Sequence, residues 1–139
     1  MHPPARAGLN IGAAAHRSGI TVKMIRYYES IGLIAPADRT ASNYRTYDER
    51  DISRLEFVKR ARGLGFSLDE IRQLLALWDD SGRASAEVKS LVLAHITELD
   101  ARIAALKSMR GTLRHLADRC DGDDRPDCPI IDDLAGDLE

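Results

Sequence analysis

The chain has 139 residues, 30% of them charged and 5% aromatic, which is room for one ordinary domain or for a small domain plus an extended helix. No apolar run approaches the roughly 20 residues that a membrane span requires, and the opening MHPPARAGLN lacks the apolar segment of a secretory signal. The net charge of −2 hides an asymmetry, because residues 1–78 carry 12 Lys or Arg against 8 Asp or Glu while residues 79–139 carry 8 against 14, so the first part is the one expected to face nucleic acid.

Residues 1–8, with their prolines and no periodic pattern, read as a disordered tail, and folding is expected to begin near Leu9. Ile11 to Arg17 forms a short Ala-rich helix, interrupted by Ser18 and Gly19. Thr21 then caps a second helix through Val22, Ile25 and Tyr28 to about Ile31, ended by Gly32. Two short helices joined by a Gly-containing turn form a helix-turn-helix, whose second helix can enter the major groove of DNA. Tyr28 is expected to be half core. The stretch Leu33 to Tyr47 predicts a two-stranded wing with a turn near Ala41 to Asn43, and its interleaved Arg and Tyr side chains suit phosphate pairing and backbone hydrogen bonding.

Asp48 caps a third helix through Leu55, Val58 and Ala61 to Leu64, closed by Gly65. Ser67 with Glu70 makes a capping box for a fourth, whose apolar stripe is Leu68, Ile71, Leu74, Leu75 and Trp78, with Trp78 expected as a packing anchor. After a polar break at Asp79 to Ala84, a helix is predicted from Ser85 to Arg119. Val92, Leu99, Leu106, Leu113 and Cys120 recur every seven residues, with Val88, Met109 and Leu116 in the companion positions. A stripe of that length cannot bury itself alone, so a partner helix is implied, most simply from a second copy. His95 and Arg102 interrupt the companion positions, which predicts a partly exposed seam. Ile130, Ile131 and Leu134 predict one last helical turn, free either to cover the loop before it or to dock on the long helix.

That loop, CDGDDRPDC, is bracketed by Cys120 and Cys128, the two cysteines of the chain. Two thiolates on one short loop suit a soft cation such as Cu(I), whereas a closed zinc site wants four N or S ligands. A disulfide, a thiol redox switch and two unrelated cysteines are the competing readings, the first disfavoured in a reducing compartment. Catalysis is not expected, since the chain has neither a His, Glu and Cys constellation at usable spacing nor a Gly-rich phosphate loop. A metal carrier that happens to contain a helix-turn-helix is the rival from another class.

The segments TVKMIRYYESIGLI (residues 21–34), NYRTYDERDISRLEFVKRARGLGFSLDEI (43–71) and CDGDDRPDCPII (120–131) resemble the MerR family of bacterial transcription regulators, and the last resembles its copper-efflux branch. The resemblance implies a mainly α fold: a winged helix-turn-helix DNA-binding domain at 9–78, a linker and dimerisation helix at 79–119 that pairs antiparallel in a homodimer, and a metal-binding loop with its tail at 120–139. It implies Arg26 and Tyr27 on the recognition helix, with Lys23 one turn earlier, as DNA contacts, together with Arg39, Tyr44, Arg45 and Tyr47 in the wing and Arg62 on the third helix. Cys120 and Cys128 would hold the effector, Cu(I) with Ag(I) or Au(I) as congeners. Ser85 stands where divalent-ion sensors of the family place a cysteine, which matches monovalent sensing, because two thiolates and one monovalent cation leave a single negative charge. Sensing of thiol oxidation or of a divalent ion such as Zn(II) is the alternative. The implied partners are promoter double-stranded DNA and RNA polymerase, in the cytoplasm and away from membranes. Gly12 stands where the family has a Ser or Thr cap, so the first helix is expected to be weakened by a few tenths of a kcal/mol.

Overall fold

The computed structural model describes residues 8–42 and 44–136. The expected tail therefore lies, but for Gly8, outside the described residues, as does Asn43 of the expected wing turn. Among the described residues the chain is mainly helical, and it divides into one compact unit up to Leu91 and another from Val92.

In the first unit, α1 (Ile11–Ser18) and α2 (Val22–Ser30) form the helix-turn-helix. Asn10 caps α1 by accepting a hydrogen bond from the Ala13 backbone N–H at 2.8 Å. Gly12 therefore lies inside the first turn and is not the cap, so the expected weakening of α1 through a missing cap does not arise. Gly19 makes the turn with φ +75°, where a Cβ would also lie 2.2 Å from Lys59 Nζ. Thr21 caps α2 as expected, its hydroxyl accepting from the Met24 N–H at 3.2 Å.

The wing is a two-stranded antiparallel ladder, β1 (Asp38–Arg39) and β2 (Arg45–Thr46), with Asp38 opposite Thr46 and Arg39 opposite Arg45. Beyond β2, Tyr47 exchanges both backbone hydrogen bonds with Leu9 at 2.8 Å, so the start of the described chain is stitched to the wing. Next come α3 (Glu49–Gly63) and α4 (Leu68–Asp79), each opened by a complete capping box, Asp48 with Asp51 and Ser67 with Glu70.

Helix α1 packs on α2 and α3, and α4 on α3. Ile25 and Tyr28 of α2 meet Leu33, Ile34, Tyr47, Ile52, Leu55, Val58, Phe66, Ile71 and Leu75 in one apolar core. Tyr28 is thus fully core. Trp78 stacks on Phe57 at 4.9 Å between ring centroids yet stays 41% exposed, a cover over the core's edge rather than an anchor inside it. Arg72 of α4 donates to the carbonyl oxygens of Ile31 (3.0 Å) and Gly32 (3.1 Å), two groups left without helical donors where α2 ends. Arg83 closes the end of α4 in the same manner, with Nη1 3.2–3.3 Å from the carbonyls of Leu77, Trp78 and Asp80.

Helix α5 (Ser85–Arg119) has the expected bounds. In a single chain much of its seven-residue stripe is open to solvent, including Leu106, Met109 and Leu113, as is Ile103 beside it. Leu116 is buried. His95 is buried as well, with Nδ1 3.7 Å from Glu98 Oε2, against the expectation of an exposed interruption in the seam. The chain ends in α6 (Pro129–Leu134), a turn on which Ile131 and Leu134 remain exposed. No helix among the described residues is long and apolar enough to cross a membrane.

Candidate nucleic-acid interface and metal loop

Helix α2 has two faces fixed by its period. Ile25 and Tyr28 turn into the core, and this leaves Lys23, Arg26 and Tyr27 on the exposed face. The wing adds Arg39 and Tyr44, both exposed, and Arg45, whose side chain is partly exposed. Arg39 and Arg45 face each other across the ladder. Two cations directly opposite on a two-stranded ribbon repel, and the Glu29 carboxylate, 3.5 Å from Arg45 Nη1, offsets part of that repulsion. Arg62 is exposed at the end of α3, where Nη1 also donates to the Phe66 carbonyl at 3.1 Å.

Tyr47 departs from its expected place. It is 2% exposed, and its hydroxyl donates to the Glu29 carboxylate of α2. Burial, with the Glu29 hydrogen bond second, pushes the phenol up to about 12. A side chain so enclosed has no surface to offer a nucleic acid, so Tyr47 is corrected from a DNA contact to a member of the core. Its backbone pairs with Leu9, a contact across 38 positions of sequence.

Glu29 is the residue the sequence did not flag. It also faces Arg45, with Oε2 3.5 Å from Nη1. Its visible trace is only that it is the single acid in VKMIRYYES, beside the core residue Tyr28. Arg72, which holds the end of α2, left no local signal because its partners are 40 and 41 residues away.

In the second unit, α5 gives way to the loop at Cys120, whose N–H donates to the Ala117 carbonyl at 3.1 Å. Gly122 turns the chain with φ +64°. Arg125 then clasps Asp123: Nε and Nη2 lie 3.0 and 2.8 Å from Oδ2, and the Arg125 N–H donates to Oδ1 at 2.9 Å. Those hydrogen bonds hold the Asp123 carboxyl below the usual carboxylate range. Arg125 Nη2 also lies 3.8 Å from Asp121, so the loop's acids are partly neutralised by their own arginine.

Cys128 stands at the N-cap of α6 with no side-chain capping bond, and Pro129 opens the helix. Both cysteines are free thiols and partly buried. Among the described residues, no compact group of three or more Cys, His, Asp or Glu donors includes either of them. A donor set of two sulfurs fits a soft ion of low coordination number and falls short of the four ligands of a closed zinc site. Ser85, exposed at the first position of α5, adds no thiol.

Residues 9–78 match the family model described as MerR HTH family regulatory protein, and residues 52–116 match that described as MerR, DNA binding. The chain belongs to the MerR family. It is 59% identical over 127 residues to heavy metal-dependent transcription regulator 2 of Rhizobium meliloti (strain 1021), spanning 91% of this chain and 86% of that protein. It is 43% identical over 128 residues to the HTH-type transcriptional regulator CueR of Salmonella typhimurium, spanning 92% and 93%. The crystal structure of the regulator PbrR691 from Ralstonia metallidurans CH34 in complex with lead(II) superposes with a TM-score of 0.79 at 36% identity, covering 91% of this chain and 98% of that one.

As a MerR-family chain, the protein is a DNA-binding regulator and not an enzyme. The expected mainly α fold, with its helix-turn-helix, two-stranded wing and long helix, is borne out. Of the wing and helix residues expected to touch DNA, Lys23, Arg26, Tyr27, Arg39, Tyr44 and Arg62 are exposed and Arg45 is shared with Glu29.

Proposed function

We propose that this MerR-family regulator is a homodimeric transcription activator switched by a soft monovalent cation, Cu(I) with Ag(I) and Au(I) as congeners, held by Cys120 and Cys128. The observation that carries the reading is the two-thiol loop with no third protein donor gathered beside it among the described residues. Ser85 in place of a third thiol agrees with it. A bound monovalent ion supplies a charge that two thiolates exceed by one, and the Arg125 clasp on Asp123 and Asp121 keeps further negative charge of the loop in check.

On promoter double-stranded DNA, Lys23, Arg26 and Tyr27 would meet the groove, while Arg39, Tyr44, Arg45 and Arg62 would meet the flanking backbone. Bending such a duplex costs on the order of a few kcal/mol, so a small preference of the ligand for one protein conformation is enough to shift the bound DNA between two states. RNA polymerase reads the result. The open apolar stripe of α5, from Ile103 to Leu113, supports a second copy as the partner helix. Such a switch works in the cytoplasm, where thiols remain reduced.

The test is anaerobic titration of the reduced protein with Cu(I) and, separately, Zn(II) under a competing chelator, with transcription followed from a promoter carrying a duplex selected by the full-length protein. One Cu(I) per loop with activation by Cu(I) and not Zn(II) is expected. The likeness to a lead(II)-bound regulator favours divalent sensing as the second reading, and activation by Zn(II) or Pb(II) would establish it in place of the first. Activation by an oxidant without metal would point to the thiols as a redox switch.

A further inference from the structure

The Glu29 carboxylate is a charge enclosed inside a surface built to meet polyanions. Its side chain is 6% exposed, and it lies on α2 on the turn that follows Arg26 and Tyr27. A buried carboxylate persists only when its oxygens are paired. Here one oxygen accepts from the Tyr47 hydroxyl and the other faces Arg45 Nη1 at 3.5 Å. Tyr47 is itself fixed, by core packing and by two backbone hydrogen bonds to Leu9. Arg45 is therefore drawn on its inner side toward the Glu29 carboxylate as an ion pair, without a hydrogen bond at Nη1, and its side chain remains 34% exposed. Across the ladder stands Arg39, whose like charge would otherwise push the Arg45 guanidinium away.

We propose that Glu29 is a positioning residue for DNA binding: through Tyr47 and Arg45 it joins the recognition helix to the wing and fixes the Arg45 guanidinium in the orientation that meets a phosphate. The inference rests on the reading of Arg45 as a phosphate contact. Two effects of Glu29 oppose each other. Its negative charge weakens attraction to DNA at long range, while its hold on Arg45 provides a directed contact at short range. A free arginine on a two-residue strand must lose side-chain freedom on binding, a cost that a held one has already met. The charge effect is muted because Arg45 already neutralises Glu29. Positioning dominates.

The probe is a fluorescent duplex selected from a random pool by the full-length wild-type protein, titrated at several salt concentrations with each variant shown folded by circular dichroism at the assay temperature. Glu29→Asp keeps the charge and shortens the reach; Glu29→Gln keeps the length and removes the charge. Arg45→Ala should lower the magnitude of the slope of log K against log salt by about 1, as for one lost phosphate contact. Both Glu29 variants are expected to lose affinity about tenfold and to flatten the slope similarly, about the cost of freeing one held side chain, and Glu29→Asp combined with Arg45→Ala should lose no more than Arg45→Ala alone. Wild-type affinity in Glu29→Asp, or tighter binding with a steeper slope in Glu29→Gln, would overturn the inference and leave Glu29 as a mere charge mask. An unchanged slope in Arg45→Ala would overturn the phosphate reading of Arg45 first, and the inference with it.

Discussion

The unit up to Leu91 and the unit from Val92 are built on opposite terms. The first closes an apolar core from four helices and a wing, with every helix from α1 to α4 capped by a side chain and the ends of α2 and α4 tied down by Arg72 and Arg83. The second is mostly one helix with its apolar groups turned outward: Leu113 is 57% exposed in the single chain, whereas Leu55 in the first unit is 1% exposed. Both are leucines on helices with a good periodic pattern. What separates them is that α3 finds α1 and α4 within its own chain, while much of the stripe on α5 stays exposed in the single chain.

The sharpest way to break this comparison is at the loop. Cys128→Ser is expected to abolish the metal response while leaving affinity for the selected duplex unchanged, measured by transcription and by fluorescence anisotropy on the same preparation. Loss of DNA affinity would mean that the two units do not divide the work. Next in size, Leu55→Ala should cost about 2–5 kcal/mol in urea unfolding. Leu113→Ala, by contrast, should leave the first unit's stability within about 0.5 kcal/mol and instead weaken self-association in sedimentation experiments.

A smaller change tests the caps. Ser67→Ala removes the acceptor for the Glu70 N–H and is expected to cost about 1 kcal/mol in thermal or urea unfolding. Gly111→Ala has the opposite sign. The added methyl meets no atom within 4 Å, and the position lies off the seven-residue seam, so α5 should gain up to about 1 kcal/mol with no change in self-association.

The smallest expected effect is in alkali. The Tyr47 phenol is held neutral up to about 12 in the folded chain, against 10.0 for an ordinary tyrosine. The unfolded chain therefore releases this proton first, so the stabilisation is intact below pH 10 and is lost as pH rises toward 12. Thermal midpoints followed over that range should fall less steeply in Tyr47→Phe than in the wild type.

Local chemistry made most of the helices legible. Thr21, Asp48 and Ser67 each sit before an apolar-periodic run, and the polar break at Asp79 to Ala84 followed by a seven-residue stripe located α5 from Ser85 to Arg119. The site was less legible where long-range pairing decides. In the wing, alternation sets Arg45 and Tyr47 on one side of the strand, yet no local rule says which side is core. The core lies on the side of Tyr47, with Leu9 packed against it from far away in sequence. Asn10, and not Gly12, caps α1 because the helix begins two residues earlier than the cap implied by resemblance would have it. His95 looked like a break in an exposed seam because periodicity ranks a position by hydropathy, and a buried histidine reads as a defect.

The grip of Arg72 on α2 has a mechanical side. A helix end held by one hydrogen bond can swivel about it; one held at two adjacent carbonyls, Ile31 and Gly32, by the two nitrogens of a rigid planar fork resists torsion. The two hydrogen bonds thereby oppose rotation of the face bearing Arg26 and Tyr27, and Arg72→Lys, which keeps the charge but offers a single nitrogen, is expected to weaken that restraint.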